Sequence, residues 1–66
     1  MQDERSEMGT LTRRILRALQ RGPLYEGTIP LVVGATVRDT GRALSALRSE
    51  GLIERTGDGY TWQVTP

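Results

Sequence analysis

The chain has 66 residues, with nine basic residues against eight acidic ones and neither cysteine nor histidine. That length allows one small domain, burying only ~60% of the surface its unfolded chain exposes. The missing residue types exclude disulfides, thiol chemistry, the usual zinc ligands and the commonest general base. No metal and no cofactor is expected. No apolar run approaches the ~20 residues of a membrane span, so no membrane partner is expected either. The opening "MQDERSEMG" has none of the apolar stretch of a secretory signal, and a cytoplasmic protein is the expectation.

The charge is unevenly spread. Residues 1–9 hold Asp3, Glu4 and Glu7 against Arg5, a balance of −2, whereas residues 10–66 hold eight arginines against five acids, a balance of +3. We read 1–9 as a disordered acidic tail and 10–66 as a mildly basic folded domain. Every base is arginine, whose planar fork suits phosphate and guanine.

In "TLTRRILRALQRG" a first helix is expected from Thr10 to Arg21. At ~100° per residue Leu11, Ile15, Ala18, Leu19 and, more loosely, Leu16 share one face. Arg13, Arg14, Arg17 and Arg21 gather on the other. Gly22-Pro23 stops the helix. The next stretch, "LYEGTIPLVVGAT", permits two readings. Residues 31–33 are β-formers. Proline is equally at home in a first helical turn, with Thr28 as a cap and Gly34 as the stop. A short helix over 29–33 and a short strand both fit.

"TVRDTGRALSALRSEG" is the clearest element. Thr36 can cap the N-terminus, with Asp39 three residues on as a weaker capping box, and Gly51 can close the C-terminus. A helix over 37–50 puts Thr40, Ala43, Leu44 and Leu47 on the core side. Arg38, Arg42, Ser45 and Ser49 lie opposite, with Gly41 beside them. Glycine in mid-helix costs ~1 kcal/mol against alanine. On an outward face, the space it leaves would be for something outside the fold, such as a nearby backbone, and an incidental glycine is the other reading. The chain closes with a hairpin: "LIERT" alternates, "GDG" turns and "YTWQV" alternates again. Ile53, Trp62 and Val64 are expected inside, and Arg55, Thr56, Gly57 and Asp58 form an exposed tip.

The order of helix, short element, capped helix and hairpin resembles the winged helix-turn-helix family of DNA-binding domains, as in small prokaryotic, archaeal or viral repressors. Leu44, Leu47, Gly51, Leu52 and Ile53 match the family's Leu-x-x-Leu-x-x-x-Gly-Leu-Ile pattern. Ile15, Leu16 and Leu19 look like its first helix, and Ile29, Val33 and Gly34 like its second helix and turn. Two features depart from the family: Pro30 stands in the second helix, and Asp58 sits beside Arg55 in the wing.

The resemblance implies an α+β winged helix-turn-helix fold, three helices followed by a C-terminal two-stranded β-hairpin. It implies that helix 37–50 enters the major groove of double-stranded DNA and that hairpin 53–64 is the wing. The expected DNA-binding residues are Thr36, Val37, Arg38, Gly41, Arg42, Ser45 and Ser49 of the helix, and Arg55, Thr56 and Gly57 of the wing. Arginine can fork onto guanine, serine can meet base or phosphate, and the free N–H groups at the helix start can meet phosphate. A sequence-specific transcriptional regulator is the leading reading, with a two-fold homodimer on a palindrome as an open arrangement. A winged helix used only for protein contact is the alternative, favoured by the modest net charge. RNA and left-handed duplexes complete the set. Glu26, Asp39, Glu50, Glu54 and Asp58 show no paired spacing, so no enzyme is expected.

Overall fold

The computed structural model describes residues 4–66, with side chains from residue 9 onward. The first helix, α1, spans Glu4–Gln20 and so begins well before Thr10. Residues 4–9, expected as tail, are its opening turns, and residues 1–3 lie outside the described residues. Glutamate, arginine and methionine are good helix formers, and an existing helix propagates through them more readily than it stops. Ile15 and Leu19 are buried, and Leu11, Leu16 and Ala18 pack against the same core, which is the apolar face read from the spacing.

A short strand follows that the hydrophobic pattern did not disclose. β1, Leu24–Tyr25, has only two residues, too few for alternation to register. It joins an antiparallel sheet beside β3, Thr61–Val64, with β2, Ile53–Arg55, on the far side, so the wing hairpin belongs to a three-stranded sheet in the order β1-β3-β2. Leu24 stands opposite Trp62 and Tyr25 opposite Thr61. The Glu26 amide continues the ladder by donating to the Tyr60 carbonyl at 2.8 Å.

A 3-10 turn over Glu26–Thr28 leads into α2, Ile29–Val33. The helical alternative therefore prevails over the strand in "TIPLVV". Pro30 sits in the first turn, where no intrahelical N–H is needed, and is buried with Ile29 and Val33. Thr28 makes no side-chain cap. Gly34 ends the helix in the left-handed region at φ 68°, a conformation costly for a side chain.

α3 spans Val37–Ser49, and the Thr36 hydroxyl accepts the Asp39 amide at 3.0 Å as an N-cap. Its end is a Schellman motif. Gly51, at φ 76°, donates its amide to the Arg48 carbonyl at 2.9 Å, and Leu52 donates to the Leu47 carbonyl at 3.0 Å. The chain then enters β2, Ile53–Arg55, with no intervening loop. β3, Thr61–Val64, returns beside it with Ile53 opposite Val64 and Arg55 opposite Trp62. Thr65 ties the end of β3 back to this joint: its amide donates to the Leu52 carbonyl and its hydroxyl to the Gly51 carbonyl.

The core draws on every helix and on the sheet: Ile15 and Leu19 from α1, Ile29 and Val33 from α2, Ala43, Leu44 and Leu47 from α3, and Ile53 and Trp62 from the hairpin. Thr40 is buried among them, and its hydroxyl oxygen has no hydrogen-bond partner.

Two stability outcomes follow. Trp62→Ala deletes a buried aromatic at a typical cost of ~3–5 kcal/mol. A core of this size supplies only ~3–5 kcal/mol, so far-UV circular dichroism should find the variant largely unfolded at 25 °C. Thr40→Val keeps the branched shape and removes the orphan hydroxyl. It should raise the urea midpoint, by ~1 kcal/mol in stability, because an unsatisfied buried hydroxyl carries a penalty of that order. An unchanged or lower midpoint means that the hydroxyl is satisfied in solution.

Candidate nucleic-acid interface

α3 separates its residues by chemistry. Thr40, Ala43, Leu44 and Leu47 face inward, and Val37, Arg38, Gly41, Arg42, Ser45 and Ser49 are all exposed, as the spacing required. Among the described residues neither Arg38 nor Arg42 makes a hydrogen bond or ion pair. Their guanidinium groups have no internal task. Arg14 on α1 is different, since it donates to the Val33 carbonyl at 3.1 Å and helps fasten α2.

Gly41 is also unexplained by the fold. A Cβ built there would meet nothing within 4 Å, and its φ is not positive. Space and backbone conformation would both accept alanine. The helix gives up stability at this position with no internal return.

Arg48 was absent from the expected site, yet it lines a shallow open groove with Ser45 and Ser49. The signal was present in the spacing. Positions 41, 45 and 48 follow one another at i, i+4 and i+7, so Gly41, Ser45 and Arg48 form one outward stripe.

Two expected contacts are already occupied. The Thr36 hydroxyl oxygen is the helix cap, and the Thr56 hydroxyl donates to Asp58 Oδ1 at 2.8 Å. Gly57 is exposed at the tip, with open space around its Cα.

Arg55 is the expected site residue whose surroundings differ most from expectation. Read as a free base on the wing, it is held on three sides. Its Nη1 donates to the Gly59 carbonyl at 2.7 Å, and its Nη2 pairs with Glu26 Oε1 at 3.1 Å. The guanidinium carbon lies 4.6 Å from the centroid of the Trp62 ring, in cation–π range. The same Glu26 oxygen accepts the Trp62 indole N–H at 3.0 Å. Nothing in the sequence spacing sets Glu26 apart from the other acids. Its part here comes from β1 and the turn after it, which bring it beside a residue far along the chain.

Asp58 organises the tip. Oδ1 accepts the Tyr60 and Thr61 amides at 2.8 and 2.9 Å, and Oδ2 accepts the Thr61 hydroxyl at 2.7 Å. The turn closes with Gly59 at φ 79°, its amide bonded to the Thr56 carbonyl at 3.0 Å. These donors favour the ionised carboxylate. The Tyr60 amide, then the Thr61 and Thr56 hydroxyls, hold the Asp58 carboxyl well below the usual carboxylate range. A wing with Arg55 paired to Glu26, and Asp58 and Glu54 close by, is not an attractive surface for phosphate as it stands.

Among the described residues no group of three or more His, Cys, Asp or Glu side chains is placed to hold a metal, and no helix is long and apolar enough to cross a membrane.

A carboxylate whose folded pKa is depressed adds stability above its unfolded pKa and loses it as pH falls through the folded value. The wing should therefore stay ordered from neutral pH down to about 4, near the unfolded aspartate value, and loosen only in stronger acid. The amide proton shifts of Tyr60 and Thr61, followed by NMR, should be flat over that span and move below it. A transition centred at the ordinary aspartate value would show that the Asp58 cage is not formed.

No protein-family model matches the chain, and no curated protein matches it. Among solved structures it is similar to the Zα domain of PKZ from Carassius auratus, crystallised in complex with Z-DNA. The TM-score is 0.81, covering 91% of this chain and 100% of that one, at 19% identity. Together, the helix order, the left-handed glycine ending α2, the capped third helix and the antiparallel wing give this chain the winged helix-turn-helix fold, of the α+β class.

Proposed function

We propose that this chain binds double-stranded DNA through the outward face of α3, reads sequence there, and acts as a small transcriptional regulator. The observation that carries the reading is the pair Arg38 and Arg42, exposed and unpartnered on one side of a capped helix, with Gly41 between them. A helix fits the major groove, and arginine can fork onto guanine O6 and N7. Gly41 lets the helix backbone approach closely, and Ser45, Ser49 and Arg48 extend the polar face. The placing of Arg38 and Arg42 beside an outward glycine on one capped helix supports a nucleic-acid partner over a protein one.

One observation favours a second reading. The similar Zα domain was crystallised with Z-DNA, and the two chains agree over nearly their full length. The same face of α3 would then meet a left-handed duplex, whose zigzag phosphates would be met by arginine with less dependence on base sequence.

The two readings separate in one experiment. Random duplexes are selected for binding at about 0.05 and about 0.2 M salt, since phosphate contacts weaken steeply over that range. In parallel, an alternating dC-dG duplex is followed by circular dichroism for conversion to the left-handed form. We expect an enriched sequence. Arg38→Ala or Arg42→Ala should lose ~1–3 kcal/mol on it and relax one base position. Gly41→Ala should raise stability by ~0.4–1 kcal/mol while weakening DNA binding, because the position is compatible with alanine inside the fold. No enrichment together with dC-dG conversion would replace the first reading by the second. No binding to either duplex would leave the protein-contact alternative.

A further inference from the structure

We propose that Glu26 limits DNA binding by holding Arg55 in place of a backbone phosphate, so that the wing engages DNA only when Arg55 leaves Glu26. The inference rests on the DNA-binding reading above. It adds a residue outside α3 and outside the hairpin to the determinants of affinity.

The geometry is that of a phosphate contact made internally. Arg55 Nη2 meets Glu26 Oε1 at 3.1 Å, and its Nη1 meets the Gly59 carbonyl at 2.7 Å. The Trp62 ring covers one face of the guanidinium, with the centroid 4.6 Å from its central carbon. An anion arriving at the wing therefore meets a cation whose charge is already matched by a carboxylate. A phosphate placed beside that carboxylate would be repelled by it.

The pair is nonetheless easy to open. The two side chains remain 39% and 45% exposed, and an ion pair so open to water is weak and screened by salt. Glu26 also has a second partner to keep it in place, because the Trp62 indole N–H donates to the same oxygen at 3.0 Å. Arg55 can swing outward while Glu26 stays against Trp62. Arg55 stands at the end of β2, next to the tip, where a hairpin on duplex DNA meets the flanking backbone.

Glu26→Gln tests this. Glutamine keeps an acceptor for Trp62 and removes the charge that holds Arg55. The probe is a labelled random-sequence duplex, which reports phosphate contacts without base reading. Arg55 meets the phosphate in both complexes, so the gain is that of a half-exposed ion pair that no longer has to break, about 2- to 5-fold at ~0.1 M salt. Glu54→Gln is the control for charge alone: its carboxylate accepts the Gln63 side-chain amide at 2.8 Å and makes no hydrogen bond or ion pair with Arg55 or Trp62. In an Arg55→Ala background the gain from Glu26→Gln should shrink to that of the control.

The wild-type chain provides a second measurement free of any folding defect. Trp62 is the one tryptophan in the sequence, so its emission reports directly on loss of the cation over its ring. It should change as duplex is added. A Glu26→Gln gain no larger than that of Glu54→Gln, a gain that persists without Arg55, or duplex binding with constant Trp62 emission would each overturn the proposal while leaving DNA binding intact. If neither wild type nor variant binds duplex, the DNA reading falls and this inference falls with it.

Discussion

The position of Trp62 constrains the rest of the molecule. It lies on β3, the central strand, and stands opposite Leu24 on one side and Arg55 on the other. Its ring is 2% exposed and belongs to the same core as the three helices. A chain of this size has few large apolar residues with which to exclude water, and an indole buries more area than any other side chain. Its polar atom also needs a partner once buried, and Glu26 supplies it at 3.0 Å. That one bond fixes the turn before α2 relative to the last strand. The same oxygen then fixes Arg55, and through Gly59 the cation is tied to the wing tip. Core packing and wing electrostatics are therefore a single arrangement. A change at Trp62 reaches the tip, and a change at Glu26 reaches the core.

Much of this could be read from the chain, and the remainder has identifiable physical causes. The inward face of α3 followed from its 3.6-residue period, and its caps from Thr36 and Gly51, because these signals are local. Ile53 and Trp62 followed from alternation. β1 escaped because two residues carry no period; it exists only by pairing with a strand far along the sequence. The choice between helix and strand at Ile29–Val33 was settled by burial of Ile29, Pro30 and Val33 against the other helices, and no local propensity encodes that. The site divides in the same way. Exposure of Arg38, Gly41, Arg42, Ser45 and Ser49 was legible from one helix alone. The restraint on Arg55 was not, since both of its side-chain partners, Glu26 and Trp62, depend on tertiary placement.

The distribution of arginines gives the small net charge of +1 a different meaning. A simple count suggests a weak attraction for polyanions. Among the described residues Arg14 and Arg55, however, are engaged with the chain itself, whereas Arg38, Arg42 and Arg48 on α3, like Arg13 and Arg17 on α1 and Arg21 just beyond it, are not. A local field matters more to a nearby phosphate than the sum over the molecule, because charges more than about 8–10 Å apart are largely screened at physiological salt. On this argument α3 presents an attractive face although the molecule as a whole is almost neutral. The wing, with Glu26, Glu54 and Asp58 around one arginine, supplies no general attraction. A near-neutral protein of this kind would bind weakly to arbitrary DNA, which helps selectivity more than a uniformly basic surface would.

The joint between α3 and the wing bears on the strength of any complex. The Schellman motif passes from Leu47 and Arg48 straight through Gly51 and Leu52 into β2, and Thr65 bonds back across the same point. The helix and the hairpin consequently have no flexible connection to order when a ligand arrives. Association always loses translational and rotational freedom, and disordered contact loops add to that loss residue by residue. Here the two candidate contact elements are set at a fixed angle by backbone hydrogen bonds, and the tip is held by the Asp58 cage. Arg55 is the expected contact group held by an ion pair, so on the reading proposed above much of the cost of engaging the wing lies in breaking a single half-exposed pair. That makes a small rigid domain adjustable in affinity at one side chain, without any change in the fold that presents α3.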